Sequence, residues 1–344
     1  MHPTAFTYKT LQSGAPIALD FHPPNTKADS TTGQRQVAAV IYFHGGGLHV
    51  GNKSAVPRWL YRRVTGSGWA LISVNYQLLP PASGHDIIKD IQDLFVFLEK
   101  ETLSADGQVF KVDVNRLVVS GSSSGGHCAY LAAMHASPKP KGVFAAYSPA
   151  GNFLIPQYLE EKTKPFFMGR DLLDASKFQD YIYPFPNGPL EPTSDIPLVF
   201  GAPPTNRRVA MAALYLQLGT YLDYVTGQHE PSLSGSLRKL LADETKTLAD
   251  LEMAIPEKHR ALFPQLAVDS SWPPTLLMTG TADTAVLPEE SYHFHDLLEK
   301  AKVRTVLVKV PGVDHLFDFA PDAKDKWAVE FDLITNFMAE CLRA

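Results

Sequence analysis

Continuous apolar runs alternate along the chain with segments whose apolar residues recur every three or four positions. The runs Val37–Phe43 and Trp69–Val74 are typical of strands that are buried on both faces of a sheet. Asp86–Glu99 carries its large apolar residues on one side of a helix. This pattern predicts strands at Phe6–Thr10, Ile17–Phe21, Val37–Phe43, Trp69–Val74, Arg116–Val119, Val143–Tyr147, Thr275–Met278 and Val303–Val310. It predicts helices at Asp86–Glu99, Cys128–Met134, Glu289–Lys300 and Lys324–Arg343.

Strands that alternate with helices predict an α/β fold, with a mostly parallel sheet and helices on both of its faces. Residues 154–270 interrupt this rhythm with many prolines, short helical patterns and frequent aromatic residues. We therefore expect an α/β core formed by residues 1–153 and 271–344, and a mostly helical cap formed by residues 154–270. Most aromatic residues of the cap are expected to form its own core, and a few to face a ligand.

Composition and charge exclude several classes of protein. The chain has 344 residues, of which 45% are hydrophobic, so it can bury a large core. A formal net charge of −5 offers no basic surface for nucleic acid. The sequence contains no run of 18 apolar residues, and its first residues lack the basic start and apolar stretch of a signal peptide. We expect a cytoplasmic protein without a membrane span, and the sequence carries no signal for an oligomeric state.

Gly121-Ser122-Ser123-Ser124-Gly125 follows a predicted strand and precedes a predicted helix. Strand, tight turn and helix form the context that a G-x-S-x-G nucleophile elbow requires. The glycines two residues to either side of Ser123 remove side chains that would clash at the sharp bend. Without further support, the same residues predict only a turn of small residues. Ser122 and Ser124 are weaker nucleophile candidates, because only Ser123 stands two residues from both glycines.

A second signal is the sequence His-Gly-Gly-Gly at residues 44–47, directly after another predicted strand. A serine nucleophile needs donors for the oxyanion that forms when it attacks a carbonyl. In an HGGG-type loop, the backbone N–H groups of Gly45, Gly46 and Ser124 are the predicted donors. We expect His44 to hold the loop and not to act as the base. The alternative is a flexible glycine loop without a catalytic role.

The base and its orienting group are predicted in two loops near the C-terminus, each directly after a strand. Ligands of open α/β sheets bind at the carboxyl ends of the strands, where both loops begin. We predict that His315 accepts the proton of Ser123 and that Asp283 orients the imidazole. The alternatives are a turn or helix-capping role for Asp283 and a surface position for His315. Asp314 and Asp318 lie nearby in the sequence, but the carboxylate of an adjacent residue does not easily reach the imidazole ring in a productive orientation.

Neither a metal nor a cofactor is expected. The twelve histidines are scattered, and the two cysteines lack the spacing of metal ligands. No G-x-G-x-x-G follows the first strands, and no G-x-x-x-x-G-K-[ST] occurs. The chain order Ser123, Asp283, His315 is instead that of α/β-hydrolase triads.

Together these motifs resemble those of the hormone-sensitive-lipase-like branch of the α/β-hydrolases, the HGGG esterases and lipases. The resemblance spans about residues 37–340, and its matching segments are 44–47, 74–80, 121–126, 280–283 and 314–315. It implies an eight-stranded, mostly parallel sheet, a helical cap and hydrolysis of carboxylic esters through an acyl-enzyme. It also implies a catalytic triad and an oxyanion hole, formed by Ser123, Asp283 and His315 and by the N–H groups of Gly45, Gly46 and Ser124.

Several positions depart from the pattern of this family. The family has an acidic residue before the nucleophile and an alanine after it, where this chain has Ser122 and Ser124. The family segment Tyr-Arg-Leu-Ala-Pro-Glu reads Tyr-Gln-Leu-Leu-Pro-Pro at residues 76–81, so its arginine and glutamate are missing. Thr284 replaces the proline that usually follows the aspartate. These differences indicate a specialised member of the family.

The leading prediction is a serine hydrolase that cleaves a small hydrophobic or aromatic carboxylic ester. A second hypothesis keeps the acyl-enzyme but gives the acyl group to an alcohol, amine or enolate, or closes a ring, in small-molecule biosynthesis. A third hypothesis is a non-catalytic receptor for a small molecule, as in the gibberellin-receptor branch. That branch has lost the triad histidine, whereas His315 is present here.

Overall fold

The computed structural model describes residues 3–25, 33–188, 190–198 and 206–343. Its strands, β1 to β9 in chain order, are Thr4–Thr10, Pro16–His22, Gln34–Phe43, Ala70–Val74, Leu103–Ala105, Gln108–Ser122, Gly142–Ala146, Thr275–Gly280 and Thr305–Val310. Its α-helices, α1 to α12, are Arg58–Gly66, Gly84–Lys100, Ser124–His135, Pro156–Leu159, Met211–Gln217, Tyr221–Thr226, Leu233–Leu241, Leu248–Met253, Glu257–Arg260, Pro288–Lys300, Ala323–Lys326 and Ala328–Arg343.

The described strands form one sheet in the order β1-β2-β4-β3-β6-β7-β8-β9, and β5 pairs with β6 alone. Every neighbouring pair from β4 to β9 along this order is parallel. The pairs β1–β2, β2–β4 and β5–β6 are antiparallel. The predicted α/β fold with a mostly parallel sheet is therefore confirmed, and β5 adds a ninth short strand to the eight predicted.

Strand β3 is buried on both faces, as its apolar run predicts. No residue of Val37–Phe43 is more than 4% exposed. Ala39 and Ile41 pack on the face that is covered by α2, α3 and α10. Val40 and Tyr42 pack on the opposite face, which is covered by α1 and α12. Helices thus cover both faces of the sheet.

The parallel strands bring the predicted functional loops to one edge of the sheet. Phe43 at the end of β3 pairs with Gly121 near the end of β6. Gly280 at the end of β8 pairs with Val310 at the end of β9. Because these strands point the same way, the loops that follow them start side by side.

The region predicted as a cap has six α-helices, α4 to α9, in the part of it that the structure describes. Three 3₁₀ helices accompany them, at Ala175–Tyr181, Arg207–Ala210 and Pro264–Leu266. Residues 189 and 199–205 of this region lie outside the described ranges. The apolar residues of α5 to α7 continue the core on the α2 and α3 side of the sheet. The division of the chain at residues 154 and 270 stays a prediction.

Two elements differ from the sequence prediction. The predicted helix Lys324–Arg343 is divided into α11 and α12, because Trp327 leaves helical geometry with φ −121° and ψ 36°. Its ring packs edge-on against Phe317, with 4.8 Å between the ring centroids. Strand β6 is much longer than predicted, since it begins at Gln108, whose segment Gln108–Phe110 forms a hairpin with β5. No helix of the described ranges is long and apolar enough to cross a membrane.

Candidate active site

Ser123 occupies the tight turn between β6 and α3. Its backbone lies in the positive-φ region, with φ 53° and ψ −133°, which a residue with a side chain adopts only under strain. A Cβ atom on Gly121 would lie 2.0 Å from the carbonyl oxygen of Gly125. A Cβ atom on Gly125 would lie 2.0 Å from the carbonyl oxygen of Phe43. The two glycines are therefore required by backbone packing on both sides of the serine.

Ser123, His315 and Asp283 form one continuous hydrogen-bonded chain. His315 Nε2 lies 2.9 Å from Ser123 Oγ, and His315 Nδ1 lies 2.7 Å from Asp283 Oδ2. All three residues are buried, with 9%, 8% and 3% of Ser123, His315 and Asp283 exposed. The Asp283 carboxylate accepts the Nδ1–H, which leaves Nε2 free to accept the serine proton.

The second oxygen of Asp283 is fixed by backbone donors. Asp283 Oδ1 accepts hydrogen bonds from the N–H groups of Ala285 and Val286, each at 2.9 Å. The carboxylate therefore presents Oδ2 to the histidine in a single orientation. The sequence left a turn role and an orienting role for Asp283 as alternatives. In the structure one oxygen binds the backbone of the turn, and the other binds the imidazole.

Asp314 binds the backbone of the histidine loop and not the imidazole. Its Oδ1 accepts from the N–H of His315 at 2.7 Å and from the N–H of Thr284 at 2.9 Å. Proline has no N–H, so the usual proline after Asp283 would not form the second bond. The Thr284 replacement thus links the two loops that carry Asp283 and His315.

Behind the imidazole lies a buried network that sequence reasoning missed. The Tyr147 ring packs edge-on against His315, at 4.7 Å between centroids. Tyr147 Oη donates to Asp318 Oδ1 at 2.5 Å, and Trp59 Nε1 donates to Asp318 Oδ2 at 2.9 Å. Burial raises the pKa of Asp318. Ser122, in place of the acid of the family pattern, bonds instead to Tyr42, with 2.6 Å between the hydroxyl oxygens.

The glycine loop lies directly against the elbow. A Cβ atom on Gly45 would lie 3.2 Å from Ser123 Cβ. Gly46 has a φ of 120°, which favours glycine, and a Cβ there would lie 1.9 Å from the Val50 carbonyl oxygen. None of the hydrogen bonds found among the described residues uses the N–H groups of Gly45, Gly46 or Ser124. These three donors are free to bind an oxyanion, although their catalytic role stays a prediction.

His44 is placed as a structural residue of this loop. Its ring stacks on Tyr76 with 4.3 Å between centroids, and its Nδ1 donates to the Gly45 carbonyl at 2.8 Å. Tyr76 Oη donates to the carbonyl of His44 at 2.7 Å. Burial lowers the pKa of His44 to about 4, so the ring is neutral at physiological pH. These contacts agree with the expectation that His44 holds the loop.

The segment at 76–81 is anchored without the arginine of the family pattern. Asp90 Oδ2 accepts from the backbone N–H of Gln77 at 2.8 Å, and Asp90 Oδ1 accepts from its side chain at 3.0 Å. Lys9 in β1 supplies the cation, with Nζ 2.8 Å from Asp90 Oδ1. Gln77, which stands at the position of the family arginine, and Lys9 of the first strand therefore both bind this buried carboxylate.

A small cavity of about 40 Å³ lies over the serine and the histidine. Its walls are formed by residues 44–48, which we call the oxyanion loop, by the loop after Asp283 and by the region between β7 and β8. They are mostly apolar or aromatic, formed by Gly47, Ser123, Ser124, Pro149, Tyr158, Phe167, Ala212, Leu216, Tyr221, Ala285, Val286 and His315. A cavity of this size holds a short acyl group next to the serine oxygen.

One wall of the cavity rests on a buried carboxyl group. Glu290, which is 1% exposed, accepts a hydrogen bond from the hydroxyl of Tyr158. Burial raises the pKa of Glu290 to about 8, against the opposing effects of Tyr158 and of nearby backbone N–H groups. Among the described residues, no ion pair involves Glu290. The group is therefore mainly protonated at neutral pH.

Glu290→Gln is expected to remove a loss of stability at alkaline pH. The folded protein keeps a proton on Glu290 that the unfolded chain releases above about pH 4.5, so stability falls from about pH 5 to 8, by up to about 1.4 kcal/mol per pH unit. In urea unfolding at pH 5, 7 and 9, the variant should match the wild type at pH 5 and exceed it at pH 9. Glu289→Gln, at an exposed neighbouring position, is the control. Parallel pH profiles of wild type and Glu290→Gln would contradict the assignment.

No cluster of three or more histidine, cysteine, aspartate or glutamate side chains suited to a metal ion occurs in the described part of the chain. Cys128 and Cys341 are both buried and unpaired. The chemistry that the site offers is that of a serine hydroxyl, an imidazole and backbone donors.

Comparisons with known proteins show that the chain is similar to hydrolases and to part of larger synthases. Residues 25–166 match the BD-FAE family model, and residues 245–344 match the model of the prolyl oligopeptidase family. A non-reducing polyketide synthase of Emericella nidulans is 26% identical over 89% of this chain. A probable carboxylesterase of a Phoma species is 29% identical over 42% of this chain. These matches cover only 12% of the polyketide synthase and 46% of the carboxylesterase.

Solved structures share the whole fold at low sequence identity. An α/β-hydrolase superfamily protein from Enterococcus faecalis has a TM-score of 0.60 and 16% identity, with 98% of both chains covered. An esterase from Pyrobaculum calidifontis has a TM-score of 0.55 and 17% identity, covering 97% of this chain and 84% of the esterase. Membership of the hormone-sensitive-lipase-like branch stays a prediction. The chain has the α/β-hydrolase fold, and relatives named as carboxylesterase, lipase and esterase are similar to parts of it.

Proposed function

We propose that this protein is a serine hydrolase that cleaves a carboxylic ester through an acyl-enzyme on Ser123. The observation that carries the proposal is the hydrogen-bonded chain from Ser123 Oγ to His315 and on to Asp283. A serine hydroxyl is a weak nucleophile by itself and requires such a base. Relatives named as carboxylesterase, lipase and esterase support ester cleavage as the reaction.

The geometry accounts for each proton transfer of the reaction. His315 Nε2 takes the proton of Ser123 while Oγ attacks the ester carbonyl, and the new imidazolium is stabilised by Asp283. The N–H groups of Gly45, Gly46 and Ser124 bind the oxyanion of the tetrahedral intermediate. When the intermediate collapses, the imidazolium returns the proton to the departing alcohol. A water molecule then repeats the sequence on the acyl-enzyme and releases the acid.

The cavity walls favour a short or flat acyl group. Tyr158, Phe167 and Tyr221 line the space of about 40 Å³ beside the serine. Tyr158 and Tyr221 are themselves in contact, with 5.5 Å between ring centroids. We propose that the helical segment between β7 and β8 acts as a cap that contributes these walls, and that the substrate is a small hydrophobic or aromatic ester.

The proposal is tested with 4-nitrophenyl acetate, butyrate, octanoate and benzoate. We expect turnover of the short and aromatic esters, and a kcat/KM at least about tenfold lower for octanoate than for butyrate. A fluorophosphonate probe should label the folded protein at Ser123 and at neither neighbouring serine, as determined by peptide mass spectrometry. Absence of both turnover and labelling would overturn the enzyme assignment in favour of a binding function.

A second candidate is transfer of the acyl group to an acceptor other than water. The observation that favours it is the extent of the polyketide synthase matches, which cover 89% and 91% of this chain. Polyketide synthesis proceeds by the transfer of acyl groups. In this candidate reaction, the acyl-enzyme on Ser123 transfers its acyl group to an alcohol, amine or enolate. Product analysis with and without such acceptors distinguishes the two reactions, because only acyl transfer gives a new ester, amide or ring.

A further inference from the structure

Arg208 is a buried cation close to the active site that the reaction above does not use. It lies in the 3₁₀ helix that leads into α5, and it is 5% exposed. Among the described residues, no carboxylate forms an ion pair with it. Its guanidinium instead donates to two backbone carbonyls, those of Leu79 at 3.0 Å and Pro80 at 2.5 Å. Burying a guanidinium without a carboxylate partner costs free energy, so these two carbonyl contacts call for an explanation.

These carbonyls begin a chain of hydrogen bonds that ends at the nucleophile elbow. The N–H of Leu79 donates to the carbonyl of Leu48 in the oxyanion loop at 2.8 Å. The N–H of Leu48 donates to the hydroxyl of Ser124 at 3.1 Å. The backbone N–H of Ser124 is one of the three free donors beside Ser123. Arg208 is thus linked to the oxyanion donors through Leu79, Leu48 and Ser124.

The middle of this chain is a strained position. Leu48 has a φ of 71°, which a leucine adopts at a cost and keeps only where its surroundings fix it. His49 adds a further constraint, because its Nδ1 donates to the same Leu79 carbonyl at 2.7 Å. Burial and the nearby charge of Arg208 lower the pKa of His49 to about 3, so this histidine stays neutral. The oxyanion loop therefore keeps its shape through contacts made outside the loop.

The same region contacts the loop a second time. A Cβ atom on Gly47 would lie 2.3 Å from Cβ of Ala212 in α5, so helix and loop are tightly packed. The hydroxyl of Tyr221 in α6 donates to the Gly47 carbonyl at 3.4 Å. The peptide between Gly47 and Leu48 is thus held at its oxygen by Tyr221 and at its N–H by Ser124.

We propose that Arg208 is a positioning residue of the oxyanion hole, which acts through Leu79, Leu48 and the hydroxyl of Ser124. The inference rests on the proposed function, since it assigns the oxyanion site to the glycine loop and Ser124. It also gives a role to Ser124, which stands where the family pattern has an alanine without a hydroxyl. Arg208 touches neither the substrate nor the reacting atoms, so its effect is expected in kcat and not in KM.

The experiment is a double-mutant cycle between Arg208→Met and Ser124→Ala, read from kcat for 4-nitrophenyl butyrate. Each single change should lower kcat by about tenfold, because each breaks the same chain. The double variant should then also lose about tenfold, whereas independent effects would give a loss of about a hundredfold. An additive loss, or a loss confined to KM, would overturn the proposal.

Arg238→Met is the matched control. Arg238 also lies between β7 and β8 and donates to the backbone carbonyls of Leu159 and Gly219, away from the oxyanion loop. Its replacement should leave kcat within about threefold of the wild type. An equal loss of kcat in the Arg238 and Arg208 variants would overturn the positioning role. If Arg208→Met lacks the wild-type circular dichroism spectrum, Arg208→Lys takes its place in the cycle.

The rate of Ser123 labelling by a fluorophosphonate gives a second readout of the cycle, since the phosphonyl oxygen also needs the oxyanion donors. A wild-type protein that is labelled but cleaves no ester would refute the hydrolase and still test Arg208 through the labelling rates. A wild-type protein that neither reacts with the probe nor cleaves ester would refute both proposals.

Discussion

Ser123→Ala is expected to lower kcat for 4-nitrophenyl butyrate by about 10⁵-fold and to abolish labelling by a fluorophosphonate. The hydroxyl is the hydrogen-bond partner of His315 Nε2 at the tip of the elbow, at 2.9 Å. Removing it leaves the imidazole with no nucleophile to activate, and only the oxyanion donors remain to assist water. Steady-state assays with enough enzyme to detect the residual rate measure the loss.

Ser122→Ala is the control for this prediction. Ser122 Oγ lies on the far side of the strand end and bonds to Tyr42 at 2.6 Å in the buried core. Its loss should change kcat by less than about tenfold, because the base and the nucleophile keep their contact. Retained turnover in Ser123→Ala, with a large loss in Ser122→Ala, would indicate that Ser122 is the nucleophile. That result would refute the proposed active site.

Ser123→Ala should change the folding stability little. Ser123 is a strained residue at φ 53°, and alanine adopts that backbone no more easily than serine does. If Ser123→Ala loses activity because the nucleophile is gone, its melting curve should be close to that of the wild type. A collapse of stability in the variant would assign the loss to unfolding.

Much of the fold was predictable because the buried strands leave a direct pattern. A strand covered on both faces, such as Val37–Phe43, is apolar throughout and leaves a continuous apolar run in the sequence. The end of each such run then locates one loop at the carboxyl edge of the sheet. This is why the positions of Ser123, Asp283 and His315 next to one another could be predicted from four separate signals.

The hairpin of β5 and β6 has a sequence signal of a different kind, in its turn. Asp106 and Gly107 join β5 to β6 with φ values of 49° and 76°. Two positive φ values are those of a type I′ hairpin turn, which Asp-Gly favours. Recognising this dipeptide predicts the hairpin and the length of β6.

The remaining features could not be predicted, because they depend on residues far apart in the sequence. Lys9 reaches Asp90 from the first strand across 81 positions of the chain. Arg208 reaches Leu79 and Pro80 across about 130 positions of the chain. Neither partner follows from periodicity or from a motif. The first pairing is set by how α2 packs against β1, and the second by how the region between β7 and β8 packs on the sheet.

Asp283→Asn is expected to lower kcat for 4-nitrophenyl butyrate by about 10⁴-fold at neutral pH, with a small change in KM. The carboxylate accepts the Nδ1–H of His315 at 2.7 Å, which fixes the imidazole with an unprotonated Nε2 toward Ser123. It also stabilises the imidazolium that forms in the transition state. Asparagine has nearly the same shape, so the change tests charge and proton placement more than packing. Steady-state kinetics at pH 7 and 8 measure the loss.

Asp314→Asn is the matched control for this substitution. Asp314 belongs to the same loops, but it bonds to the backbone N–H groups of His315 and Thr284 and leaves the imidazole ring untouched. Its change should cost less than about tenfold in kcat. Equal losses in the two asparagine variants would indicate that loop structure matters and that the carboxylate of Asp283 has no separate role.

The direction of the Asp283→Asn effect follows from the backbone donors around it. Two N–H groups, from Ala285 and Val286, hold Oδ1 at 2.9 Å, so the oxygen of asparagine takes that place. The amide NH₂ then faces His315 Nδ1, which has to accept a hydrogen bond instead of donating one. The ring proton moves to Nε2, and the nitrogen that should take the proton of Ser123 already carries one. Replacing one oxygen atom by an NH₂ group therefore blocks the first proton transfer without moving either side chain.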